Sequence, residues 1–126
     1  MSYVNILRAG TDHTIWAKGL EFYRDELDLM TRRLLEISSK NTSEEASKGV
    51  EHFQNQFIVQ KEALQKLKHD LHKQLTNITG QVKSTAKITN MDTVDMEFVL
   101  RDKVHTAEKI LLELKHSFYR FLSTVL

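Results

Sequence analysis

The chain has 126 residues, 40% of them hydrophobic and 28% charged, with a formal charge of +1. That is one domain's worth of foldable composition, without the global field that draws in nucleic acid or anionic membrane. Cysteine is absent, which excludes disulfides, thiolate nucleophiles, iron–sulfur clusters and cysteine-ligated zinc; with no proline and only four glycines, the composition predicts an all-α protein.

The start, MSYVNILRAG, has no basic segment followed by an apolar run, and nowhere do eighteen apolar residues follow one another. A cytoplasmic protein with no membrane partner is expected. Residues 1–11 carry Tyr3, Val4, Ile6 and Leu7 ahead of Gly10 and read as a short packed arm, either helical from Ser2 to Gly10 or extended.

The first long helix is predicted over about residues 12–38, capped by Thr11 or Asp12. Its seam is Trp16, Leu20, Tyr23, Leu27, Met30, Leu34 and Ile37, spaced alternately by four and three as in helices packed at a shallow angle. Gly19 sits inside this pattern and suggests a close approach to another backbone. The second helix, about 43–81, is predicted to open on a capping box of Thr42 and Glu45 and to close near Gly80 in the left-handed conformation. Its seam returns every seventh residue, at Val50, Phe57, Leu64, Leu71 and Ile78, with Phe53 and Leu67 beside it and Gln60 and Gln74 at the remaining seam positions. At 1.5 Å per residue it should span roughly 55 to 60 Å against about 40 Å for the first, and so overhang it.

Residues 83–90, KSTAKITN, read as a loop. The third helix, about 92–125, is predicted to start at Asp92, with Met91 and Met96 as a hydrophobic staple and a seam of Leu100, Val104, Ala107, Leu111, Leu114, Phe118, Phe121 and Val125. Together these elements make one domain, 1–126, an elongated up-down-up bundle of three long helices.

The seams do not use up the apolar residues. Ile15, Phe22 and Leu29 form a second line on the first helix, and Phe98, His105, Leu112 and Tyr119 form another on the third. Apolar surface of that extent usually marks a contact. Three origins are open: cover by the amino-terminal arm, self-association, or a splayed bundle in which these residues are core. A symmetric homodimer is the expected partner state. His52, Gln56 and Gln60 follow one another four apart and form a polar stripe that could recognise a neighbouring helix or a partner.

A search for chemistry returns little. Six histidines are present, but His69 and His72 stand among Lys66, Lys68 and Lys73, where positive charge opposes a cation. Asp102 with His105 and Glu113 with His116 have the carboxylate-x-x-His spacing of di-metal bundles; the histidines lie roughly 16 Å apart on one helix and cannot share a metal within a chain. In the stretch from Asp12 to Gly19, two extra residues separate His13 from Lys18 relative to the His-x-x-Lys-Gly signature of histidine-containing phosphotransfer domains, and phosphotransfer is not expected. The segment Lys61 to Lys73 is mildly basic, interrupted by Glu62 and Asp70, and too sparse for nucleic-acid binding to be the expectation. The sequence predicts a non-enzymatic helical scaffold or adaptor without cofactor or metal. The alternatives are a ligand- or metal-dependent bundle, which requires polar groups from several helices to converge, and a weak nucleic-acid-binding protein that uses the Lys61 to Lys73 face, whose binding would fall steeply with salt.

Overall fold

The computed structural model describes residues 3–81 and 87–126, and its architecture is an all-α bundle of three long helices. In chain order these are β1 (Val4–Asn5), α1 (Ile6–Lys40), α2 (Glu44–Gln81), β2 (Lys87–Ile88) and α3 (Met91–Val125). Lys61 on α2 pairs with Asp28 on α1, and Lys68 with Glu21, so the two helices run antiparallel. Gln74 meets Thr93 while Phe53 meets Phe118, so α3 runs antiparallel to α2 and parallel to α1.

The core follows the predicted seams. Leu20, Leu27, Met30 and Leu34 of α1, Phe53, Phe57, Leu64, Leu67 and Leu71 of α2, and Leu100, Val104, Leu111 and Phe118 of α3 are buried together. One end is aromatic: the Phe118 ring meets Phe53 edge-on at 5.4 Å and Phe57 at 5.2 Å, with Phe121 alongside Phe53. Gly49 belongs to this end, because a Cβ there would overlap the ring of Phe121. No backbone comes close at Gly19, where an added Cβ would meet only the Glu108 carboxylate at 4.0 Å; the tight approach is that of the Phe121 side chain to Gly49. Gly49→Ala should therefore displace Phe121 and destabilise the fold by about 1–3 kcal/mol despite the better helix former. Thermal unfolding followed at 222 nm checks this; a stabilised protein would mean that Phe121 yields freely.

The helix ends differ from expectation in instructive ways. α1 begins at Ile6, not near residue 12, with Asn5 as its cap accepting from the Arg8 amide at 3.1 Å. Thr11 is inside the helix, its hydroxyl donating to the Leu7 carbonyl. The arm is thus mostly the first turns of α1, and with 35 and 38 residues α1 and α2 are nearly matched, so no long overhang exists. α2 is capped by Ser43, whose Oγ accepts from the Ala46 amide, rather than by Thr42. α3 is capped by Asn90, whose Oδ1 accepts from the Thr93 amide, rather than by Asp92. Short polar side chains compete for each cap, and the one whose oxygen reaches the free amides three residues on wins. Gly80 is helical, without a positive φ.

Val4 and Asn5 are extended. Val4 pairs with Ile88 and Asn5 with Lys87 in an antiparallel two-residue ladder, and Val4, Ala9, Ile78, Ile88 and Val94 form a second, smaller core at this end. The loop expected at 83–90 falls partly outside the described residues; its Lys87–Ile88 portion is β2.

Candidate functional site

Two surfaces stand out, one apolar and one polar. The apolar one is built by α1 and α3. Glu26 meets Lys115 at 3.3 Å and Gly19 faces Glu108, both at one offset between the two parallel helices. At that offset Ile15, Phe22 and Leu29 stand within a residue of level with His105, Leu112 and Tyr119. The two lines therefore run side by side along the α1–α3 junction, on surface that α2 does not cover, and Phe98 extends them by two turns. Ile15, Phe22, Leu29, Phe98, Leu112 and Tyr119 are between 45% and 62% exposed. His105 is exposed among them. Val4 and Asn5 pair with β2 and residues 6–11 belong to α1, so the described part of the arm does not cover the α1 line, and neither line belongs to the core. Between the lines Tyr23 is half-buried; burial, reinforced by Glu108 and opposed by Lys115, holds its phenol above the usual 10.0.

The polar site was not foreseen. His13 of α1, Gln74 of α2 and Thr93 and Glu97 of α3 meet at the end closed by the β ladder. His13 Nε2 lies 2.6 Å from Glu97 Oε1, and the Gln74 amide donates to the same oxygen at 3.3 Å and to the Thr93 carbonyl at 3.0 Å. Asn77 and Gln81 donate to the Thr93 hydroxyl at 3.2 and 2.8 Å. An ionised carboxylate only accepts, so Nε2 carries the proton toward Glu97. His13 is 3% exposed, and its Nδ1 is buried with no partner among the described residues. Beside this cluster a crevice of about 260 Å³ opens between the starts of α1 and α3, bounded by Trp16, Glu97, Phe98 and Arg101 among others.

With α1 starting at Ile6, His13 is not at the start of its helix but a buried residue two turns inside it. The signal was available: His13 lies seven before Leu20, and Glu97 seven before Val104, so each extends its helix seam by one heptad. Starting the first helix at residue 12 hid the former.

The other candidate groups stay apart. His52 and Gln56 are exposed and Gln60 half-buried, and among the described residues none of the three hydrogen-bonds to another helix. His69 and His72 are exposed beside the α1–α2 groove, and the two carboxylate–histidine pairs on α3 are exposed as well. Among the described residues no group of three or more His, Asp or Glu side chains is placed to hold a metal, and no helix is long and apolar enough to cross a membrane. Two lysines of the basic α2 segment are matched by carboxylates of α1, Lys61 by Asp28 at 2.8 Å and Lys68 by Glu21 at 3.7 Å, which leaves less charge for a phosphate backbone.

Fold and site together define a three-helix bundle with an apolar outer face and a buried polar cluster at one end. No protein-family model, curated protein or solved structure matches the chain.

Proposed function

We propose that the protein is a small cytoplasmic, non-enzymatic scaffold that works as a homodimer, with the α1–α3 face as the interface between copies. The observation that carries this reading is the pair of level apolar lines, all six of whose carbon-rich side chains remain about half exposed in the single chain. Six such side chains offer on the order of 600 Å² of apolar surface. A standard specific interface takes about 800 Å² from each partner. A second copy presents the same area in the same shape, so a two-fold pairing covers both faces at once. Glu26 and Lys115, already paired between the lines at 3.3 Å, can enter such an interface with their charges compensated.

Light scattering across a concentration range tests the reading. The wild-type chain should have the mass of a dimer at micromolar concentration, and the double substitution Phe22→Glu and Tyr119→Glu should give a monomer with unchanged helical signal. A wild-type monomer at every concentration overturns the dimer. Loss of helical signal in the variant would instead place these side chains in a core. A second reading, a bundle whose function depends on a bound ligand, is favoured by the convergence of His13, Gln74, Thr93 and Glu97 from three helices.

A further inference from the structure

Glu97 and Arg101 stand at i, i+4 on α3, the spacing at which a glutamate and an arginine ordinarily pair across one helical turn. They do not pair. Glu97 is turned inward, its Oε1 accepting from both His13 and Gln74. Arg101 lies over the Phe98 ring, its guanidinium carbon 4.7 Å from the ring centre. The consequence is a divided ion pair at the edge of the crevice.

Each half has hydrogen-bonding capacity left over. Among the described residues Glu97 Oε2 has no protein partner and is not fully buried, on a side chain that lines the crevice. Arg101 makes no hydrogen bond to the protein among the described residues, which leaves its planar fork of donors unused on the same wall. Opposite them α1 contributes the Trp16 ring, Ala9, and Arg8 and Asp12, which pair with each other at 3.8 Å. At about 260 Å³ the space suits a single small molecule; sites for larger ligands run from about 300 to 1,000 Å³.

We propose that this crevice binds a small zwitterion of the α-amino acid class, with its ammonium on Glu97 Oε2, its carboxylate on the Arg101 guanidinium and an apolar side chain against Trp16. The molecule carries its two charges a few ångströms apart, matching an acceptor and a donor fork held one helical turn from each other. His13 and Gln74 act here as positioning residues. They hold Glu97 off Arg101, and without them the two would close on each other and fill the site. Glu97 pairs poorly with solvent cations because it is mostly buried, and an ammonium that also satisfies Arg101 gains both contacts at once.

Trp16 is the chain's single tryptophan, so its emission reports directly on the crevice. Titration with leucine should give a saturable change in Trp16 emission with half-saturation below about 1 mM. Isoamylamine, which lacks the carboxylate, and 4-methylpentanoate, which lacks the amine, should each bind at least about tenfold more weakly. Glu97→Gln and Arg101→Gln should each weaken leucine binding by a similar factor; because Arg101 contributes no hydrogen bond to the fold, that variant carries the test if Glu97→Gln fails to keep its far-ultraviolet spectrum. No emission change with leucine up to about 10 mM overturns the proposal. Equal binding of the bare amine also overturns it, since the site would then recognise a cation and leave Arg101 without a role.

Discussion

Replacing Phe118 with alanine should lower the unfolding free energy by about 3–5 kcal/mol, the largest loss expected from any single truncation in the chain. Phe118 is fully buried, and its ring lies edge-on to both Phe53 and Phe57, so truncation removes its own transfer from water and two ring contacts. The cavity cannot readily collapse, because the neighbouring rings are held by α2 and Phe121 is held in place by contact with Gly49. In a chain of this length the loss corresponds to roughly 10–20 °C in melting temperature. Urea unfolding followed by circular dichroism measures it, and Phe118→Leu should recover about half. A loss below about 1 kcal/mol would mean that the aromatic end is not packed as described.

Glu97→Ala should destabilise by about 2–4 kcal/mol, although it removes only a polar group. The reason is what it strands. His13 Nε2–H and one donor of the Gln74 amide, both on buried side chains, lose their acceptor. Glu97→Gln keeps an acceptor oxygen in place and should cost clearly less. Equilibrium unfolding of Glu97→Ala, His13→Leu and the double variant separates the terms: the double variant should be more stable than Glu97→Ala alone, because it removes the stranded donor as well. Additive losses would show that the two side chains do not share a bond.

The helices were legible from the sequence because each packs along a single repeating seam, and every seventh residue from Phe57 to Ile78 is buried. Caps were less legible, since Thr42 and Ser43, or Asn90 and Asp92, are chemically near-equivalent and only the path of the chain chooses between them. The exposed lines at Ile15 and Phe98 could be seen as surplus by counting seam positions, but their alignment across the α1–α3 junction depends on the offset between helices, which no local pattern encodes. His13 and Glu97 lie 84 positions apart, bridged by a 2.6 Å contact. A histidine and a glutamate at extended seam positions can each be read alone as a helix end, and only their meeting makes them a site.

The two ends of the bundle also differ in when they can form. At the aromatic end α1 turns into α2 over residues 41–43, so the α1–α2 contacts there are nearly local, while Phe118 reaches Phe53 and Phe57 only once α3 has docked. The opposite end is closed by Val4 on Ile88, which brings together the beginning of α1 and the approach to α3 across the whole length of two helices. Closing so long a loop is entropically expensive until the intervening helices are already docked. Folding should therefore make the Val4–Ile88 ladder and the His13–Glu97 contact last, after the helices have docked, and in the native state these closures should open first.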